Sequence, residues 1–350
     1  MLLKNLQSYI KKVNKANKKV TFFTAFTFYA FFTLSTSFAS QIHPNAGKTS
    51  ATFLKIGLGA RPVAMGESFA GISDDINAVY WNPSGLIQLD KNEITATHTE
   101  WFSDIRYEFA GMSIRFDKDN VGAVSIGGLY MSDLERRTYL EKPEDEPTLP
   151  EGTFGSKDIF AMLSYAHRIG KDISVGGNLK FIYEGIDIYS GFSFALDLSC
   201  LYKLNDRLTF GGIFQNIGPH LKLREVYYWL PINLKLGIGF KIPEYNLILG
   251  FDINQPIDNY IKLSVGAEYN LNNLIFVRAG YRYKWFGNDL GDLSGLTLGL
   301  GIKLEPYRID YAFVPFGDLG VTHRISLNVK FGESVETKVK EVNKVNKEDK

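Results

Sequence analysis

The sequence predicts an all-β protein: a transmembrane antiparallel β-barrel of about fourteen strands, with an N-terminal plug segment that contains a short helix. Three observations point there. From Glu93 onward, apolar and polar residues alternate with period two, the mark of strands with two unlike faces. Short turn-like connections alternate with longer ones along the chain. Before either pattern begins, a lysine-rich start leads into an apolar run ending in small residues.

That start places residues 1–39 as a signal peptide. Lysines at 4, 11, 12, 15, 18 and 19 precede the apolar run Val20 to Leu34, and Ser37-Phe38-Ala39 supplies a cleavage site. The run is shorter than the roughly 20 residues a spanning helix needs, and no later run is long enough, so the expected destination is the bacterial outer membrane.

Residues 40–92 form the plug. This stretch is punctuated by glycines and carries one helical pattern, with Ser73 as N-cap and Asp74 and Asp75 in the first turn. Ile76, Val79 and Tyr80 follow at helical spacing, and Pro83 stops the run by restricting Asn82. A helix this short needs a larger structure around it.

Residues 93–331 are the barrel, with strands expected to begin near 93, 107, 120, 158, 173, 191, 208, 232, 246, 260, 274, 295, 307 and 322. Asp117 to Asn120, Gly170 to Asp172, Asn205 to Arg207, Pro243 to Tyr245, Asn270 to Asn273 and Glu305-Pro306 read as periplasmic turns. The segments 100–106, 132–156, 184–190, 218–231, 284–294 and 314–321 read as external loops. Lys235, Lys262, Glu268, Arg278, Arg282, Lys303, Asp310, Arg324 and Lys330 share the polar face of their strands. They belong in the lumen, since a lysine or arginine facing lipid near mid-membrane costs about 2–4 kcal/mol. After Phe331, residues 332–350 read as a disordered, charged periplasmic tail.

Composition narrows the chemistry. A net charge of +1 argues against nucleic acid as a partner. The lone cysteine, Cys200, lies in an apolar strand and reads as buried or lipid-facing. The five histidines have no metal-ligand spacing, Gly57-Leu-Gly-Ala-Arg-Pro lacks the third glycine of a dinucleotide fingerprint, and no nucleophile elbow is present. The expectation is therefore no enzyme, no cofactor and no metal.

Two groups of residues remain as functional candidates. The plug and gate group is Gly57, Gly59, Arg61, Asp74, Asp75, Asn82 and Pro83: glycines for close packing, the acidic pair for capping, and Asn82 to tie the plug to the wall. The external-loop rim comprises Trp101, Phe102, Tyr227, Tyr228, Trp229, Trp285 and Phe316, with Phe286 beside them. Exposed aromatics there suit protein or acyl-chain binding, or a continued interfacial girdle.

Phe53 to Pro62, Ala64-Met-Gly, Asp74-Asp75, Tyr80 to Leu86, Glu100-Trp101, Pro150 to Phe154 and Ala312 to Leu327 together resemble the PorV/PorQ family of outer-membrane proteins, itself related to FadL-type transporters of hydrophobic molecules. The sequence departs from FadL-like proteins at Ser84, where they usually carry Asn-Pro-Ala, and in its extended tail. The resemblance implies a fourteen-stranded barrel with a plug. It implies a role in secreting or displaying other proteins, as in type IX secretion, with cargo proteins or secretion components as partners. The alternative is a FadL-like transporter of hydrophobic small molecules. Outer-membrane lipid is a partner on either reading.

Overall fold

A computed structural model describes residues 42–137, 150–284 and 293–334. The strands are β1 (Asn92–Glu100), β2 (Arg106–Arg115), β3 (Asn120–Arg136), β4 (Gly152–Ile169), β5 (Ile173–Ile186), β6 (Tyr189–Lys203) and β7 (Leu208–Ile217). They continue with β8 (Leu221–Leu223), β9 (Val226–Tyr228), β10 (Asn233–Ile242), β11 (Leu247–Pro256), β12 (Lys262–Leu271), β13 (Ile275–Lys284), β14 (Leu296–Leu304), β15 (Tyr307–Pro315) and β16 (Val321–Phe331). All but β8 and β9 join edge to edge into one closed antiparallel barrel of fourteen strands. Closure comes from β1 pairing with β16, from Asn92 opposite Phe331 to Glu100 opposite His323. Every barrel strand thus has two neighbours, so the barrel has no unpaired strand edge.

The two faces separate as the alternation requires. On β16, Thr322, Arg324, Ser326 and Asn328 are buried while Val321, Ile325 and Leu327 are exposed. On β6, Ala195, Asp197, Ser199 and Leu201 point inward, and Leu196, Leu198, Cys200 and Tyr202 point outward. Cys200 therefore lies on the outward face of the barrel wall.

Barrel strands begin within a residue or two of the expected positions except β4, which starts at Gly152. Strand runs into two of the long loops anticipated from sequence, 132–156 and 184–190. The β3–β4 pairing runs on to Arg136 opposite Gly152, with an irregularity between Met131 and Leu134. The β5–β6 connection shrinks to Asp187 and Ile188. Polar residues such as Ser156 and Glu184 give these segments a loop-like look, but both are paired across the sheet. Arg136 on one of these tall hairpins donates to Asp187 on the other. Within 218–231, β8 and β9 form a small hairpin of their own.

The interior is filled by the N-terminal segment. It holds 3-10 turns at Thr52–Lys55 and Pro83–Gln88 and short helices at Ala60–Ala64 and Ala78–Trp81. Phe53, Met65, Phe69, Ile72, Ile76, Val79, Trp81 and Leu86 bury their side chains almost completely. Ser73 is not the cap of the second helix. Its φ is 33° and its hydroxyl donates to the Phe69 carbonyl at 2.8 Å, and the helix starts after Asn77. Asp75 organises that start, accepting from the Asn77 backbone N–H at 2.9 Å and its side-chain amide at 2.8 Å. The expected signal peptide over 1–39 and most of the expected charged tail, beyond Ser334, lie outside the described residues.

Candidate functional site

The lower part of the plug lies directly on the barrel wall. Inward positions on neighbouring strands are glycine: Gly211 on β7, Gly237 and Gly239 on β10, Gly250 on β11, Gly266 on β12 and Gly280 on β13. A Cβ at Gly211 would collide with the Ala70 carbonyl, at Gly239 with Gly71, at Gly250 with the Ser68 carbonyl, at Gly266 with the Met65 carbonyl, and at Gly280 with Gly66. Backbone from Met65 to Gly71 thus crosses five adjacent strands at contact distance. Gly176 on β5 does the same for the turn at Pro83 and Ser84. Gly57 and Gly59, by contrast, make room within the plug itself, against the Trp81 ring and the Asn77 side chain; Gly59 has a φ of 78°.

Charge pairing fixes the same region. Arg61, 3% exposed, meets Asp74 at 2.6 Å, Asp75 at 2.8 Å and Glu268 of β12 at 2.7 Å. Arg278 joins Glu268 at 2.6 Å and Asp310 at 2.9 Å, and Lys241 reaches Asp74 at 3.0 Å. The acidic pair therefore converges on one guanidinium instead of pointing apart along a helix, because the chain bends through 73–75 before the helix starts. Asn82 bridges plug and wall: its amide donates to the Ala70 carbonyl at 2.8 Å and the Cys200 carbonyl of β6 at 3.2 Å. Its side-chain oxygen accepts from the Ser84 hydroxyl at 2.5 Å. Pro83 follows at the head of its 3-10 turn.

The upper part, residues 42–56, is held differently, by side chains at the end of the barrel that carries the long loops. Asp258, between β11 and β12, accepts from Thr49 Oγ1 at 2.5 Å and Lys55 Nζ at 2.6 Å. Burial pushes the Asp258 carboxyl up, but the hydrogen bonds from Lys55 and Thr49 outweigh it and leave it below the usual carboxylate range. Ser50 N–H donates to the Trp229 carbonyl at 2.9 Å, and Ala51 N–H to Glu184 at 2.8 Å.

The aromatic rim resolves into two clusters. Trp101, Phe102 and Phe316 pack at ring-centroid distances of 5.1 to 5.7 Å, brought together by the β1–β16 closure. They roof two lumenal cations: Arg324 lies 5.4 Å from the Trp101 ring and Arg282 5.4 Å from the Phe316 ring. On the other side, Trp229 packs on His220 at 3.9 Å, and Tyr227 and Tyr228 belong to β9. Trp285 and Phe286 lie outside the described residues.

Between the plug and β7, β10, β11 and β12 lies a cavity of about 30 Å³, lined by Tyr80 and Trp81 from the plug and by Lys235, Asn254, Pro256 and Lys262 among others. No sequence signal marked it, because its residues come from five separate segments. Among the described residues, no group of three or more His, Cys, Asp or Glu side chains could hold a metal ion.

The model of an uncharacterised protein family, UPF0164, matches residues 16–189. No curated protein matches the chain. Among solved structures, it is similar to the P. putida toluene transporter TodX, with a TM-score of 0.59 and 13% identity over 79% of this chain and 99% of that one. Similarity to the Ralstonia pickettii toluene transporter TbuX gives 0.58 and 13% over 79% and 99%. For a Pseudomonas aeruginosa FadL homologue the values are 0.51 and 12% over 84% and 100%. At these identities the likeness is one of fold: a closed barrel of FadL-like type. It bears on the FadL-type side of the family resemblance, not on the PorV/PorQ assignment.

Proposed function

We propose that this protein is a non-enzymatic outer-membrane channel for small hydrophobic molecules, exported by a cleaved signal peptide over residues 1–39 and ending in a charged periplasmic tail over 332–350. The observation that carries this reading is a fourteen-stranded barrel whose lumen is filled by its own N-terminal segment, in a fold shared with toluene transporters. With short turns assigned to the periplasm, the welded part of the plug lies toward the periplasmic side and the side-chain-held part faces outward. A hydrophobic molecule would enter past the aromatic rim and leave laterally through the wall, because the route straight down is packed with buried apolar side chains.

The comparisons favour this reading over the secretion role that the PorV/PorQ resemblance implies. Uptake of a monoaromatic hydrocarbon by cells with and without the protein tests it: faster uptake that depends on the protein is expected, and equal rates would sink it. Stoichiometric exported proteins in a detergent pull-down would restore the secretion reading.

A further inference from the structure

Beside the closing seam, the outward face of the wall changes character. β14 and β1 are both nine residues long. β14 turns Leu296, Leu298, Leu300, Ile302 and Leu304 outward, whereas β1 turns out Ile94 and Ala96 and then His98 and Glu100. Opposite these on β2 lie Glu108 and Arg106. The four side chains pair among themselves: His98 with Glu108 at 2.7 Å and with Glu100 at 3.3 Å, and Arg106 with Glu100 at 3.7 Å. On the other flank, His323 of β16 lies opposite Glu100, and its Nδ1 shares a hydrogen bond with the Tyr311 hydroxyl at 2.7 Å. At about 3.4 Å per residue and a tilt of about 40°, His98 stands roughly 16 Å above Asn92, the end of β1 assigned to the periplasm, inside an apolar band about 25 Å tall. Charge at that depth faces acyl chains at a cost. Pairing within the patch lowers that cost without removing it, because each of the four side chains stays about half exposed.

We propose that this patch is the contact between two copies of the barrel, set side by side about a two-fold axis that runs along the membrane normal between β1 and β2. Such an axis exchanges the two strands. Glu100 sits opposite Arg106 and His98 opposite Glu108, so the exchange brings Glu100 of one copy toward Arg106 of the other, and His98 toward Glu108. A two-fold contact requires a self-complementary patch of this kind. Ala96 and Ala110, opposite each other one step below the charges, are small enough to let the two walls approach. A second copy also fits better than lipid. With two carboxylates against one guanidinium the patch repels an anionic phosphate, and acyl chains leave its charges uncompensated. The inference rests on the outer-membrane reading and not on hydrocarbon uptake.

The lone thiol provides the test. Cys200 is exposed on the outward face of β6 and takes a donor or an acceptor dye on the full chain, which is then reconstituted in phosphatidylcholine liposomes. Energy transfer is expected to persist as the protein is diluted with lipid. Glu100→Arg alone and Arg106→Glu alone should each weaken association about a hundredfold, since a two-fold contact contains every substitution twice, and the two together should restore it. Heat-modifiable migration confirms that the variants are folded; should the single variants fail to fold, the dilution series of the unmodified protein decides alone. Transfer that falls on dilution to the level of random neighbours overturns the proposal, as does transfer unchanged in both folded single variants. A diluted monomer that retains a polar lipid assigns the patch to head groups and overturns it as well. Failure of the chain to enter liposomes removes the membrane reading beneath the proposal, which the other outcomes leave standing.

Discussion

The two halves of the plug are attached by different physics. From Met65 to Gly71 the backbone rests on glycines of five adjacent strands, and Arg61 binds three carboxylates from plug and wall, with Lys241 and Arg278 sharing their charge. From Ile42 to Ile56 the chain is held by polar contacts, chiefly those on Asp258, and by the buried side chains of Phe53 and Leu54 near its end. Backbone against backbone has no rotamer by which to give way, whereas a carboxylate latch opens by rotating side chains. One polypeptide thus supplies a fixed lower seal and a separable upper strap.

Glycines on opposite faces of the same strand give the sharpest test of the seal. Gly211 faces the plug, where any side chain meets the Ala70 carbonyl; its neighbour Gly212 faces outward, where a Cβ approaches only the end of the Leu236 side chain, at 3.3 Å. Gly211→Val should cost more than about 4 kcal/mol and abolish the folded, heat-modifiable form, while Gly212→Val should cost less than about 1 kcal/mol. Equal effects would mean that the plug does not brace the wall. Next in size is Arg61→Met, which leaves Asp74, Asp75 and Glu268 facing one another and should cost about 3–5 kcal/mol in urea unfolding from micelles. Asp258→Asn should act on the strap alone: hydrogen exchange over 42–56 speeds up, and the barrel's unfolding midpoint moves by no more than about 1 kcal/mol.

This division was only half visible in the sequence. Strands such as Ile232 to Phe240 declare themselves because period two encodes both faces locally, and the inward charges Glu268, Arg278 and Asp310 follow from the same parity. The glycine seat lies at those inward positions too, yet Gly211 and Gly280 become neighbours of one plug segment only through the register of the strands between them. Arg61 and Asp74 were legible as plug residues, but not their convergence, since Glu268 comes from a strand roughly two hundred positions away. Ser73 looks like a cap in the local pattern, which does not contain the pull of Arg61 on Asp74 and Asp75. The rim was legible as aromatic, not as two clusters, because Trp101 and Phe316 meet only when the barrel closes.

The smallest expected effect separates the halves by pH. In the folded state the Asp258 carboxyl lies below its ordinary value of 3.8, so its contribution is fully present above that value and is lost as pH falls through the lower folded one. The strap should therefore stay as protected at pH 5 as at pH 7, and loosen only as pH drops below about 4. Proteolysis of the region 42–56 during acid titration measures this. Asp258→Asn, with no carboxylate to protonate at that position, should be loose at every pH. Strap release at pH 5 or 6 would assign the latch to a different group and erase the contrast with the seal, whose backbone contacts on Gly239, Gly250 and Gly266 contain nothing that titrates.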